Sequence, residues 1–222
     1  MTSIGNDIVS LESPRSKRFA QKEYYSKIIS SEEEDDFHQR LAGRLSFGNY
    51  VWLLWSIKEA AFKYFKRSDS GFLFNPLKIT TENIGLKDRY SPLTINKFPI
   101  ENRGFESSEL LNGQVYIQGD RICTRSMIAE DFIFSVVSDE TALDKIYWGI
   151  QRIDTGDYKT QSAEVRKFTM HKLKDIFPDQ NFFIEKNDTG VPGIVCGNKL
   201  YPVSFSHHEK YIAYAFMLQT AE

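Results

Sequence analysis

Cysteine is scarce in this chain: two in 222 residues, Cys123 and Cys196, far apart and in no metal-ligand spacing. They read as buried thiols in a reducing compartment, not as a disulfide framework or a metal site. Long apolar runs are missing too. No stretch approaches 18 uninterrupted apolar residues, so no membrane span is expected. The opening Met-Thr-Ser-Ile-Gly-Asn-Asp lacks the basic and apolar regions of a signal peptide, and a cytoplasmic location is expected. Neither charge sign is in excess: 28 basic against 30 acidic residues leave a formal net charge of -2, which offers no basic face for nucleic acid by bulk count. Nothing is low-complexity. What is present is core material, 41% hydrophobic and 14% aromatic, in a length that allows one large domain or two small ones.

The most informative segment is Trp55-Ser56-Ile57-Lys58-Glu59-Ala60-Ala61-Phe62-Lys63. It sits in a helical run over about 47–66 whose apolar residues cover most of the wheel, the pattern of a buried helix. Glu59 falls between Trp52 and Trp55, with Lys63 one turn on. A carboxylate there is costly unless it is paired or coordinates a cation. Spacing alone favours a Glu59–Lys63 pair one turn apart, worth a few tenths of a kcal/mol on an exposed face.

The rest of the chain frames that helix. Residues 4–11 read as a strand whose alternation sets Gly5, Asp7, Val9 and Leu11 on one face. Residues 13–20 form a basic turn, and 30–41 a short acidic helix from a Ser-Ser cap, its charge run expected on a solvated face. Residues 67–112 are loop-rich, with short strand candidates. Strands are expected near 114–118 and 121–129 around a Gly119-Asp120 turn, then a buried strand at 132–137 and a connector at 139–145. A helix at 161–176, a strand at 181–185, a loop with Gly190 and Pro192, a turn at Gly197-Asn198 and an apolar strand at 211–218 follow. Helix, strand, hairpin and apolar strand thus occur twice, with a change near residue 140. The expectation is an α+β chain of two similar lobes, a pseudo-dimer, with lobes 1–140 and 141–222.

Three segments, Gly5-Asn6-Asp7-Ile8-Val9, the Trp55–Lys63 helix and Val203-Ser204-Phe205-Ser206-His207, together resemble the 4′-phosphopantetheinyl transferase superfamily. Its signatures are a G-x-D-I-[VE] strand, a W-[ST]-x-K-E-A-x-x-K helix and an S-x-S-H segment. The resemblance implies the family's fold, here in the size of its two-lobed surfactin-synthetase-activating type with the lobe order permuted. It also implies a monomer taking one coenzyme A per chain.

The reaction so implied moves 4′-phosphopantetheine from coenzyme A to a serine of an apo acyl or peptidyl carrier protein and releases 3′,5′-ADP. Mg²⁺ is the implied metal, with Asp7 and Glu59 as its ligands. Val9 stands where the two-lobed type has a third acid, so water is expected to complete the shell. Glu59 and Lys63 are the implied catalytic pair: Lys63 near the transferred phosphate, Glu59 also as acceptor of the serine proton. Ser206 and His207 match a coenzyme A phosphate contact. His208 is expected to face solvent. Pro192 belongs to Gly190-Val191-Pro192, which occupies the place of the family's Gly-Lys-Pro without its lysine; Lys186 is one substitute. Arg166 and Lys159 lie where the family often carries basic coenzyme-binding side chains, with plain helical surface charge as the alternative. The carrier protein is expected to dock at Arg15, Lys17 and Arg18. Two other functions use parts of the same set: a non-catalytic carrier-binding module of the same fold, and a Mg²⁺-dependent phosphohydrolase.

Overall fold

The computed structural model describes residues 3–13, 21–86, 90–105, 110–154 and 157–218. The basic turn with Arg15, Lys17 and Arg18 lies outside them. In chain order the elements are β1 (Ile4–Ser10), α1 (Lys22–Tyr25), α2 (Ser31–Asp36), α3 (Phe47–Phe65), β2 (Thr80–Gly85), β3 (Ile100–Arg103), β4 (Leu111–Ile117), β5 (Asp120–Ile128), β6 (Phe132–Ser138), β7 (Tyr147–Arg152), α4 (Tyr158–Ile176), β8 (Phe183–Lys186), β9 (Pro192–Cys196), β10 (Lys199–His208) and β11 (Tyr211–Phe216). The fold is mixed α+β, with two sheets. The first runs β1-β6-β5-β4-β2 and the second β3-β7-β11-β10-β9-β8, each antiparallel throughout.

Three apolar layers order the molecule. Helix α3 packs on one face of the first sheet, burying Val51, Leu54, Ile57 and Ala61 with Val115, Ile133 and Val137. The opposite face, with Ile4, Ile8, Phe132 and Phe134, meets Trp148, Ile150, Tyr211 and Ala213 of the second sheet. Helix α4 closes the far side of that sheet on Val203, Ile212 and Tyr214. Strands β6 and β11 are buried along their whole length, which is why they read as continuous apolar runs instead of alternating ones. One strand crosses the order of the chain: β3, from within residues 1–140, pairs with β7 in the second sheet.

Local signals explain most boundaries. Ser46 caps α3 through the Asn49 N–H, and Asp157 caps α4 through the Thr160 N–H, starting that helix three residues before the expected 161. Ser30 and Glu33 form a capping box on α2, which runs on as a π-helical turn over Phe37–Leu41. The β4–β5 turn sits one residue earlier than expected, at Gln118 and Gly119. Both have positive φ, the pattern of a two-residue hairpin turn of the primed kind. Strand β7 was not foreseen. Its centre is Gly149, where a Cβ would sit 2.7 Å from the Tyr214 ring; a glycine that admits a tyrosine removes the alternation a strand is read from.

Two expectations on side-chain burial are corrected. The acidic run of α2 is not all solvated, because Glu33 is 2% exposed. Cys123 and Cys196 are half-buried thiols, not fully buried ones.

Gly5 sets the approach of α3 to β1. A Cβ there would lie 1.9 Å from the Ala60 carbonyl oxygen and 2.7 Å from the Tyr64 nitrogen, both backbone atoms of α3. The helix would have to move. Gly5→Ala is therefore expected to destabilise the chain by about 1–3 kcal/mol in urea unfolding, the usual cost of overpacking. Wild-type stability in that variant would refute the close contact.

Candidate active site

Gly5 holds α3 close, and its face of β1 carries Asp7 two residues on. Asp7 comes to lie against the face of α3 that carries Glu59 and Lys63. Lys63 Nζ donates to Asp7 Oδ1 at 2.9 Å and to the Asn6 carbonyl at 2.9 Å. Its ion-pair partner is Asp7, not Glu59 as spacing alone favours. The Ser56 hydroxyl donates to the Asp7 carbonyl at 3.3 Å and fixes the strand against the helix.

The electrostatics follow from burial. Asp7 is only 8% exposed. Burial pushes its carboxyl up, against the lowering pull of Lys63 and, more weakly, of His208. Glu59 is half-buried, and its carboxyl is pushed up to about 7, first by burial and then by the nearby Asp7 charge, with Lys63 opposing. The sign for stability follows. Between the ordinary value of 4.5 and about 7 the folded chain holds a proton on Glu59 that the unfolded chain has lost. Glu59's contribution is thus fully present below 4.5 and lost as pH rises through 7. In chelator-treated protein, Glu59→Gln should flatten the loss of urea-midpoint stability between pH 5 and 8. An unchanged profile would refute the shift.

The second sheet meets β1 edge-on. Residues 204, 206 and 208 of β10 share one face. The Ser204 hydroxyl accepts from the Asn6 N–H, the Ser206 hydroxyl from Asn6 Nδ2, and His208 Nδ1 from the Ser10 N–H, each at 2.9 Å. These side chains cover the free edge of β1, which would otherwise expose unpaired N–H groups. His208 therefore turns inward to β1 and Trp52 instead of facing solvent. Ser206 is 3% exposed and engaged with Asn6.

His207 points to the other face of β10, where its ring lies edge-on to Tyr158 of α4. Burial lowers its pKa first, and the Lys63 charge lowers it further, so the imidazole is held toward its neutral form. On the same face Arg166 stacks over the Phe205 ring at 5.7 Å. Lys159 is exposed in the first turn of α4. Pro192 opens β9, and its carbonyl accepts from Arg67. Between the end of α3 and the 189–192 loop lies a cavity of about 210 Å³, whose walls include Lys63, Pro192, Ser204 and Phe205.

The structure thus brings together Asp7, Glu59 and Lys63, sets His207 within reach of the Lys63 charge, and lays Pro192 along the adjoining cavity. A divalent cation suits this set. Asp7 and Glu59 offer hard oxygens from two elements, and a cation would relieve the Asp7 repulsion that, after burial, raises Glu59. Among the described residues no group of three or more His, Cys, Asp or Glu gathers. Two carboxylates match Mg²⁺, which is usually held by one or two carboxylates with phosphates and water.

Sequence reasoning placed Gly5 on the Asp7 face but missed its close contact with α3, and it missed the inward turn of His208 and the role of Arg67. An interior strand glycine signals close backbone approach. Period-two alternation from Ser204 would have turned His208 inward. Arg67 carried no local signal.

No curated protein and no solved structure matches this chain at a significant level. A family model does match, that of the 4′-phosphopantetheinyl transferase superfamily, over residues 3–99, a little under half of the chain. Both elements that build the carboxylate–lysine cluster fall inside that range. Residues 3–99, with Asp7, Glu59 and Lys63 among them, are thus similar to the 4′-phosphopantetheinyl transferase superfamily.

Proposed function

We propose that the chain transfers 4′-phosphopantetheine from coenzyme A to a serine of an apo acyl or peptidyl carrier protein, in a Mg²⁺-dependent reaction that releases 3′,5′-ADP. The observation that carries this reading is the meeting of Asp7, Glu59 and Lys63 within the segment that matches the superfamily. In the reaction the serine oxygen forms a bond to the pantetheine-side phosphorus. The bridging P–O bond of the diphosphate breaks, and its electron pair leaves on 3′,5′-ADP.

Positioning and electrostatic stabilisation supply most of the catalysis in phosphoryl transfer. Asp7 and Glu59 would hold the cation, which when bound neutralises charge on the diphosphate. Lys63, fixed by Asp7 and the Asn6 carbonyl, directs an ammonium at the transferred phosphate and steadies the charge on the leaving group. Glu59, directly or through a water, also accepts the serine proton. His207, neutral and half-buried, donates a hydrogen bond to a coenzyme phosphate. Arg166 and Lys159 add positive charge along α4. Ser206 acts through Asn6, which it holds in place. The two lobes, 1–140 and 141–222, each supply part of one cleft, so a monomer binds one coenzyme A.

Intact-mass measurement of an apo carrier protein incubated with coenzyme A, Mg²⁺ and this chain tests the reading. Addition of one phosphopantetheine group is expected. Coenzyme A cleavage without carrier modification would favour a phosphohydrolase, and no product with a panel of carriers would favour a binding module. His207→Ala should raise the coenzyme A KM about tenfold with kcat little changed, as for a contact that contributes uniform binding. A large fall in kcat at saturating coenzyme A would put His207 in the chemistry instead.

A further inference from the structure

Arg67, just past the end of α3, joins four parts of the molecule. Its Nε donates to the Ile4 carbonyl, and its Nη2 donates to the carbonyls of Pro192, at 3.0 Å, and of Val203. Those three bonds tie the helix to β1, β9 and β10. A guanidinium has five N–H donors in a planar fork. The Nη1 pair remains without a partner among the described residues, and Nη1 is not among the buried unpaired atoms, so it meets open space.

The charge is also uncompensated. No carboxylate of the described residues lies within 4 Å of Arg67. Burial lowers its pKa only to about 10, so it stays protonated at neutral pH. A half-buried cation with carbonyl partners alone is costly unless an anion completes it.

Arg67 lines two adjoining cavities, of about 170 and 210 Å³. The smaller also carries Glu185 on its wall. The larger has Lys63, Lys66 and Arg67 on its wall with Thr189 and Ser204, and no acidic residue. An anion is drawn to the larger. Lys66 already gives donors to the Ser70 and Phe72 carbonyls, and Lys63 to Asp7 and Asn6, so Arg67 is the cation with two donors to spare.

We infer that Arg67 is a phosphate-binding residue: its Nη1 receives a phosphate of a phosphorylated ligand in the cavity between the end of α3 and the 189–192 loop. The inference rests on the reading of coenzyme A as substrate for the identity of the ligand, but not for the anion site. Because the same guanidinium holds Pro192 and Val203, phosphate binding there also stiffens the contact between α3 and the second sheet.

Calorimetry with two probes, pyrophosphate and coenzyme A, tests this. Arg67→Gln is expected to weaken both about tenfold or more, the worth of one charged hydrogen bond. Arg67→Lys, which keeps the charge, should recover part of that loss. A complex of the unaltered chain with pyrophosphate supplies a measure that needs no variant: a phosphate oxygen within hydrogen-bond distance of Nη1 is expected. Phosphate bound elsewhere, or Arg67→Gln with unchanged affinity for both probes, overturns the inference while leaving the transferase reading intact. Pyrophosphate bound through Arg67 with no affinity for coenzyme A keeps the site and overturns the transferase reading. An unaltered chain that takes neither probe overturns both.

Discussion

Asp7→Ala and Glu59→Ala are each expected to lower phosphopantetheine transfer by about 10²–10³-fold or more, the range seen when one preorganised electrostatic contact to the transition state is lost. Each change removes half of a two-carboxylate site, and neither removes a core side chain. Both variants should therefore fold. Asp7→Ala also frees Lys63, which keeps only the Asn6 carbonyl. The two carboxylates interact, since the Asp7 charge helps to raise Glu59. Their effects should be non-additive, with the double variant little worse than either single one, as for residues that act as a unit. Rates at saturating coenzyme A and Mg²⁺ decide it. A double variant that loses the product of the two single losses would show that the carboxylates act independently.

Lys58→Met should be the most damaging change to stability, by about 3–5 kcal/mol, the cost of leaving one partner of a buried ion pair alone. Lys58 is fully buried, and burial pulls its pKa down against the raising effect of Glu33. Its ammonium donates to Glu33 Oε2 at 2.6 Å and to the Ile28 carbonyl at 2.7 Å. Glu33 also accepts from the Ser30 N–H and from both the N–H and the hydroxyl of Thr81. The Tyr50 hydroxyl donates to its carbonyl. The network ties α2 and β2 to α3 one residue from Glu59. Apolar replacement of both Lys58 and Glu33 should recover only part of the loss, because the Ser30 and Thr81 donors would remain buried. Urea unfolding at pH 7 is the measurement. A Lys58→Met chain as stable as the wild type would mean that this pair contributes nothing to the fold.

Much of the site was legible without a structure. The buried helix over 47–66, the strand carrying Asp7, and the Gly5, Glu59 and Lys63 positions all follow from local periodicity, which decides what shares a face within one element. The family signature lies in those same short segments. Strands β2 and β3 were less legible because they are short and polar, and β7 because its central glycine makes room for Tyr214.

What sequence alone determined was therefore the inventory: a buried helix bearing Lys58, Glu59 and Lys63, a strand bearing Asp7, and a second set of elements ending in a Ser-His segment. Only the tertiary structure decided the partners. Spacing offers Lys63 the carboxylate one turn back, but the close packing of β1 on α3 at Gly5 brings Asp7, from 56 residues away, to its ammonium. Lys58 finds Glu33 in a run that reads as solvated, because α2 folds back onto α3. Ser206 and His207, neighbours in the chain, serve opposite faces of β10, and Arg67 gains its role only where α3, β1 and the second sheet converge. The physical reason is common to all four. A side chain's own segment sets its direction, whereas burial and the distance of approach between elements set which charge it meets.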